Sequence, residues 1–410
     1  MITKPKGCYD LNGNEAIKYQ KVVNVVNAYA KLYNYKYIRT PLFESTDLFK
    51  RSVGDSSDIV QKETYDFVDR GGRSFTLRPE GTAGVVRNFI EDKLYGNQNS
   101  VVKKYYIGTM YRYERPGLGR NREFTQFGFE SMGSDDPLSD AEIISLSYYI
   151  LKELGLDTTV KINNLGSVED REKYKKVLVD YLTPHINDLC EDCQNRIKTN
   201  PLRILDCKVD CDSDILKNAP IINDYLSKES NERFEKILNY LKYLDVDYEI
   251  DYNLVRGLDY YDFMVYELKL GNSLALGGGG RYNHLVSSLG GPEVPCVGFA
   301  SGIERIINAM DDDIQENIDV YIMSVNEEEK LKANILLQDL RLNDIICETN
   351  LLNKSLKSQF KEADNMKAKL LIILNSEDLS KGLITVKDNV TKVENKVPED
   401  EIIDYILGMI

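Results

Sequence analysis

Seven arginines stand out by what surrounds them. Arg78, Arg112, Arg120, Arg122, Arg256, Arg281 and Arg305 mostly sit beside glycine, aromatic or acidic residues, near the ends of predicted elements. Arginine keeps its charge at any physiological pH and offers a rigid fork of donors that fits phosphate and carboxylate. Several such groups with a few carboxylates and no general base point to phosphoryl or nucleotidyl chemistry run by electrostatics. Read singly, each is an ordinary surface charge; the set, in surroundings rich in glycine and tyrosine, is not. Other chemistries lack their residues. No G-x-x-x-x-G-K-[ST] run exists, which excludes a P-loop, and Gly277–Gly280 leads into Arg281-Tyr282 without completing G-x-G-x-x-G. Two histidines, His185 and His284, leave little for imidazole acid–base catalysis or a His-rich metal site, and His284 beside Leu285 and Val286 reads as structural. Cys190-x2-Cys193 and Cys207-x3-Cys211 have a spacing that a four-thiolate zinc site allows. Reduced structural thiols are the default reading of these four, and zinc is not expected.

These groups must be held by a chain of 410 residues, long enough for two or three domains. Hydrophobic content of 42% and aromatic content of 10% fit a globular protein. The longest purely aliphatic run, Leu370–Leu374, is far short of the ~20 apolar residues that a membrane span needs. Met1–Gly7 carries no apolar signal core, and an odd count of seven cysteines reads as reduced thiols. The expected location is the cytoplasm, with no membrane partner. A net charge of −14 lowers the expectation of nucleic-acid binding, which is driven by counterion release onto Lys and Arg. It does not exclude a local basic face.

The elements follow from periodicity. Ala16, Tyr19, Val22, Val23, Val26, Tyr29 and Ala30 predict a helix over Glu15–Tyr33. Tyr37–Pro41 reads as a short strand ended by proline. Gly71-Gly72 predicts a hairpin turn between Thr64–Val68 and Ser74–Leu77. A helix is predicted from about Gly81 to Ile90. Val102–Arg112 and Glu123–Met132 alternate as two antiparallel strands, joined by an exposed Gly- and Arg-rich loop at Pro116–Arg122. From about Val168 to Asp247, charged helical repeats such as Asn231–Tyr243 mark an inserted helical module. Strands return at Tyr248–Val255 and Phe263–Leu270. The helix Gly302–Met310 runs into Asp311-Asp312-Asp313, read as a linker. Strands and helices then alternate to the end, as in a small α/β domain.

Four segments in this order resemble the class II aminoacyl-tRNA synthetases, in the form of the histidyl-tRNA synthetase family. They are Ile38–Glu44; Arg78-Pro79-Glu80-Gly81-Thr82; Tyr111–Pro116 running through Arg122–Gln126 to Glu130; and Gly298–Arg305. Leu254-Val255-Arg256-Gly257-Leu258-Asp259-Tyr260-Tyr261 and Gly278–Tyr282 carry the resemblance to the histidine form. It covers essentially the whole chain. It implies an α+β catalytic domain with a mixed, mostly antiparallel sheet (residues 1–167 and 248–312), a helical insertion (168–247) and a C-terminal α/β anticodon-binding domain (318–410). It also implies a homodimer, with Thr40-Pro41 near the interface. The implied reaction is ATP-dependent activation of L-histidine, with Mg2+ accompanying ATP, and transfer to the 3′ end of tRNA(His).

The resemblance also assigns roles. Arg112 would grip the α-phosphate, Arg256 would approach it from the other side, and Arg305 would bind the γ-phosphate. Glu114 and Phe124 would hold adenine, with Arg120 beside the nucleotide. Glu80, Gly81, Thr82 and Gln126 would take the substrate ammonium and its surroundings. Glu130 and Tyr261 would meet the two imidazole nitrogens, a matched polarity that suits imidazole, with Tyr260 and Tyr282 walling the pocket. Arg120 and Arg122 would touch the RNA backbone. Lys354, Lys357 and Lys361 recur at helical spacing and would form a basic face for the anticodon arm. The alternative is a catalytically silent paralogue serving as a regulatory subunit in histidine biosynthesis; such chains usually lack the C-terminal domain and have eroded signatures. A synthetase for threonine, proline or glycine is disfavoured by Leu254–Tyr261. A pure RNA-binding module has no need of Arg256 or of Glu80 and Thr82.

Overall fold

The computed structural model describes the chain except residues 55–58, 98–99, 118, 259, 272–274 and 312–316. Asp259 of the Leu254–Tyr261 run and Asp312-Asp313 of the expected linker therefore lie outside the described residues. The chain forms two compact units, residues 1–312 and 313–410.

The first unit carries β1 (Lys36–Tyr37), β2 (Phe43–Ser45), β3 (Tyr65–Val68), β4 (Ser74–Leu77), β5 (Val102–Tyr111), β6 (Glu123–Met132), β7 (Thr159–Gly166), β8 (Tyr248–Ile250), β9 (Asp262–Lys269), β10 (Ala275–Arg281) and β11 (Cys296–Gly302). Among the described residues its main sheet has eight strands in the order β1-β5-β6-β11-β10-β9-β7-β8. The edge pairs β1–β5 and β7–β8 are parallel and the inner pairs antiparallel, which is the mixed, mostly antiparallel sheet expected. Strand alternation sets the two faces. Phe127 and Phe129 of β6 and Phe299 of β11 point to a closed core, where Phe129 and Phe299 stack at 5.4 Å. The helices Gly13–Leu32 and Pro137–Glu153 belong to this layer. The first buries Val22, Val26 and Ala30, four residues apart. Gln126, Gly128 and Glu130 point the other way, and this is the face that carries the site.

Two strand expectations shorten. The strand read over Tyr37–Pro41 is only Lys36–Tyr37, an edge held by one neighbour. The strand read over Tyr248–Val255 ends at Ile250, because Asp251 turns the chain by accepting from the amides of Asn253 (side chain, 3.1 Å) and Leu254 (carbonyl, 3.0 Å). Arg256 is thereby delivered on a loop. The segment 168–247 is helical, with helices Val168–Leu182, Glu191–Thr199 and Lys228–Tyr243. Its core is continuous with that of the sheet: Leu178, Leu182, Cys193 and Leu202 join one cluster with Phe89, Tyr106 and Tyr282. Buried Asp170 ties two helix starts together, accepting from Ser227 N at 3.0 Å and Ser230 Oγ at 2.6 Å while completing a capping box with Ser167.

The second unit holds a sheet of β12 (Val320–Met323), β13 (Cys347–Thr349), β14 (Leu370–Ile373), β15 (Leu383–Asp388) and β16 (Glu394–Pro398), in the order β13-β12-β14-β15-β16. The first three are mutually parallel and the last two antiparallel. Val320 and Ile322 face the helices Glu327–Leu342 and Ile402–Leu407, while Tyr321 and Met323 face Ala363 and Phe360 of Leu356–Asn365. The aliphatic run at Leu370–Leu374 is thus an inner strand covered on both faces.

Candidate active site

A cleft of about 690 Å³ opens on the polar face of the main sheet, and Arg112, Arg120, Arg256 and Arg305 all line it. Each is placed by a different element. Arg112 follows the last residue of β5, and its Nε donates to Pro79 O at 2.9 Å. Arg305 sits in the helix Ile303–Ala309 directly after β11 and donates to Gly119 O at 3.2 Å and Ala275 O at 3.0 Å. Arg256 comes from its loop to pair with Glu267 of β9. It lies over Gly278 of the neighbouring strand, where a Cβ would stand 2.8 Å from its Nη1. Burial acts against the Arg256 charge, but Glu267, with Tyr261 and Tyr260, more than offsets it, so the guanidinium is held more firmly protonated than usual. Glu114 stands between two of these cations, 3.7 Å from Arg112 and 3.8 Å from Arg120. Phe124 of β6 lies under the Arg112 guanidinium at 5.4 Å.

On the same strand face as Gln126, which lines the cleft, Glu130 is buried and only 1% exposed. One carboxylate oxygen accepts from Thr82 Oγ1 at 2.7 Å and the other from the Tyr282 hydroxyl. Tyr260 touches both Tyr261 and Tyr282, with ring centroids at 4.7 and 5.7 Å. Gln126 accepts from Gly81 N at 3.2 Å and Tyr106 OH at 3.3 Å. This packing around Glu130 and Tyr106 depends on absent side chains. Gly298 pairs with Glu130 across β6–β11, and a Cβ there would lie 1.8 Å from Glu130 Oε2. The Tyr106 ring fits between Gly81 and Gly128, where added Cβ atoms would come within 2.2 and 2.4 Å of it.

The arrangement amends several expectations. Tyr282, expected only as a wall, is a direct partner of Glu130, and Tyr261 is buried beside Tyr260. Glu80 caps the helix Thr82–Glu91, accepting from Thr82 N at 2.7 Å and Ala83 N at 2.8 Å. Thr82, expected near the ammonium, spends its hydroxyl on Glu130. Arg120 and Arg122 part company. Arg120 lines the cleft, but Arg122 stacks on Tyr113 at 4.0 Å and donates to Glu114 O at 3.3 Å. Arg78 and Arg281 are buried struts: Arg78 binds Thr40 O at 3.0 Å and Thr109 O at 2.8 Å, and Arg281 clasps Asp140. His284 is not a buried core residue; its side chain is 49% exposed, 3.7 Å from Glu293. Lys354 is not on the helix with Lys357 and Lys361. That helix starts at Leu356, and Lys354 pairs with Glu362 at 2.6 Å. Lys357 and Lys361 are exposed one turn apart. Cys211 is exposed and bonded to Lys208 O, so the four-thiolate set that the spacing allows does not form. Glu267 was not anticipated; its only sequence signal is an acid on a strand facing a glycine run.

Comparison with known proteins then decides the family. Residues 7–306 match the model described as histidyl-tRNA synthetase, and residues 319–409 match the anticodon binding domain. The chain belongs to the histidyl-tRNA synthetase family. Among curated relatives of this family, histidine–tRNA ligase of Geobacillus sp. (strain WCH70) is 46% identical, with 98% of each chain covered. The enzyme of that name from Bacillus subtilis (strain 168) is also 46% identical, with 97% of each covered. The crystal structure of apo histidyl-tRNA synthetase from S. aureus superposes with a TM-score of 0.82 at 38% identity, covering 99% of this chain and 100% of that one. A Bacillus halodurans structure described as an ATP phosphoribosyltransferase regulatory subunit/histidyl-tRNA synthetase has a TM-score of 0.68 at 20% identity, covering 92% of this chain and 99% of that one, and shares the fold.

The Glu130 pocket of this family member carries a pH signature. Burial raises its pKa from 4.5 to about 8, against the lowering by Tyr282 and Thr82. Between those values the unfolded chain releases the proton and the folded chain keeps it. The stability this group contributes is therefore fully present below 4.5 and is lost as pH rises through about 8. Glu130→Gln, which cannot ionise, is expected to flatten the fall in urea midpoint between about pH 5 and about pH 8.5. Parallel pH profiles for the two proteins would rule the account out.

Proposed function

We propose that this chain activates L-histidine with ATP to form histidyl-adenylate and then transfers histidine to the 3′ end of tRNA(His). The observation that carries this reading is an arginine-lined cleft, with Gln126 on its wall and the buried Glu130 on the same strand face, in a chain resembling histidine–tRNA ligases over nearly its full length. The attacking group is the histidine carboxylate, ionised at neutral pH, so no general base is required. What is required is cationic charge where two anions meet. We assign that to Arg112 and Arg256 at the α-phosphate and Arg305 at the γ-phosphate. Phe124 stacks on adenine and Glu114 hydrogen-bonds it, with Arg120 alongside. ATP enters as its Mg2+ complex, and Glu114, Glu267 and Glu304 line the cleft with the oxygen donors that such an ion takes. Glu130 recognises the imidazole, assisted by Tyr282 and walled by Tyr260 and Tyr261. Gln126 meets the ammonium end, near Gly81, Glu80 and Thr82.

For the RNA, the support is local. Arg120 lies at the cleft, Arg122 braces the loop beneath it, and exposed Lys357 and Lys361 lie in the unit that matches the anticodon-binding model. A cytoplasmic location is supported by seven free cysteines and, among the described residues, by the lack of any helix long and apolar enough to cross a membrane. A homodimer is supported by exposed aromatics beside Thr40-Pro41. Phe43 (49% exposed) and Phe67 (41%) meet Phe75 edge to face or tilted on the small sheet β2-β4-β3. No specific observation favours the regulatory alternative. Exchange of pyrophosphate into ATP should occur with histidine and with none of the other amino acids. Exchange with another amino acid, or with none, rejects the reading.

A further inference from the structure

In the helical segment 168–247, four candidate metal ligands converge: Cys190, Cys193, Cys207 and Asp210, with donor atoms all within 4.8 Å of one another. Three of these side chains are buried and Cys190 is half-buried. Cys190 immediately precedes the helix Glu191–Thr199, and its side chain caps nothing. Cys193 follows one turn later. Cys207 and Asp210 come from the turns after Pro201–Ile204. The carboxylate of Asp210 is aimed by the Cys190 amide, which it accepts at 3.1 and 3.3 Å.

Two of the donor separations match the edges of a tetrahedron around a small cation, and all lie within 4.8 Å. Zinc–sulfur bonds of about 2.3 Å place two sulfurs about 3.8 Å apart at the tetrahedral angle, and a sulfur and a carboxylate oxygen about 3.5 Å apart. Here the Cys190 and Cys207 sulfurs are 3.6 Å apart, and the Cys207 sulfur is 3.7 Å from Asp210 Oδ2. Thiolate donors select a borderline-soft ion, and a four-donor tetrahedral set without a histidine pair suits zinc over magnesium or calcium. All four positions are filled by protein, as in a structural rather than a catalytic site.

We propose that Cys190, Cys193, Cys207 and Asp210 bind a structural zinc ion, Asp210 taking the place that spacing alone gives to Cys211. The ion braces the turn that stands against the Arg256 loop: Asn200, Leu202 and Arg203 share a cavity with Val255, Arg256 and Leu258. The site does not depend on the aminoacylation reading.

The full-length chain, purified under reducing conditions without chelator, should contain close to one zinc per chain by elemental analysis. Exchange with Co2+ should give the thiolate-to-metal charge-transfer and tetrahedral ligand-field bands of an S3O site. Cys211→Ser should keep the metal. Cys193→Ser should lose it, and Asp210→Asn should lower zinc affinity at least about tenfold. The Co2+ titration of the unmodified chain needs no variant to fold. Zinc near zero with no charge-transfer band on adding Co2+ overturns the proposal. So does a Cys190–Cys207 disulfide, seen as two thiols fewer in a chain that takes up no metal. Zinc retained in Cys193→Ser overturns it too, and an unchanged cobalt spectrum in Asp210→Asn overturns Asp210 as the fourth ligand.

Discussion

Arg256→Ala is expected to slow histidine-dependent ATP–pyrophosphate exchange by about a hundredfold to a thousandfold, the usual loss for one preorganised donor at a developing charge. Two features make this a test of chemistry and not of folding. Glu267, the partner left behind, keeps Lys269 at 3.7 Å, so it is not stranded without a cation. The loop that carries Arg256 is anchored elsewhere, with the carbonyls of Tyr252 and Leu254 accepting from the Asn163 side chain at 3.1 and 2.9 Å. The loss should appear in kcat more than in histidine KM, because the guanidinium acts on charge that grows at phosphorus. Arg256→Lys should recover only part of it, since an ammonium keeps the charge but not the two-pronged geometry. Near wild-type exchange in Arg256→Ala would remove this residue from the mechanism.

The second large effect lies beside the pocket. Asp140→Ala is expected to cost about 3–5 kcal/mol of stability, the range for breaking a buried ion pair from one side. Asp140 and Arg281 are both fully buried and joined at 2.8 and 2.9 Å, and Arg233 adds a third contact at 2.7 Å. Removing the carboxylate leaves the Arg281 guanidinium in the interior without its direct ion pair, near the carbonyl of Ser134, the polar side chains of Ser139 and Asn283, the exposed Asp135 and, farther off, the Asp262 carboxylate. Arg281 precedes Tyr282, which donates to Glu130. The same variant should therefore raise histidine KM at temperatures where it remains folded. Urea unfolding measures the first effect, and a loss below about 1 kcal/mol would contradict the strut role.

What could be read in the sequence depended on range. Long regular alternation was legible: β5 and β6 run over Val102–Tyr111 and Glu123–Met132, within a residue of expectation. Both are long and inward-facing on alternate residues, so local pattern and tertiary role agree. Short elements were not. β1 and β8 have one neighbour each, and their lengths are set by that neighbour and by the Asp251 turn. At the site, the sequence named Arg112, Glu114, Arg120, Phe124, Gln126, Arg256 and Arg305, which the fold brings to one cleft, but it did not show how the neighbouring side chains bond to one another. Tyr261 and Tyr282 are both tyrosines near glycines, one just before β9 and one just after β10, and only the fold shows that the Tyr282 hydroxyl reaches Glu130. Lys354 looked helical by spacing, but Asn353 adopts φ 54°, a left-handed turn that asparagine tolerates, and Lys354 falls before the helix. Asp210 and Cys211 are adjacent, and a period count cannot tell which of two neighbours a tight turn points inward.

The glycines around the pocket bear on how this chain could change over generations or in the laboratory. Each is a single nucleotide from alanine, yet alanine at 298 would collide with Glu130 at 1.8 Å, and at 81 or 128 with Tyr106 at 2.2 or 2.4 Å. At these three positions the chain is already bare backbone, so they offer no side chain to trim when a larger amino acid analogue is to be admitted. Broadening the repertoire would have to begin at the tyrosines, among them Tyr106, whose ring fills the slot between two of those glycines.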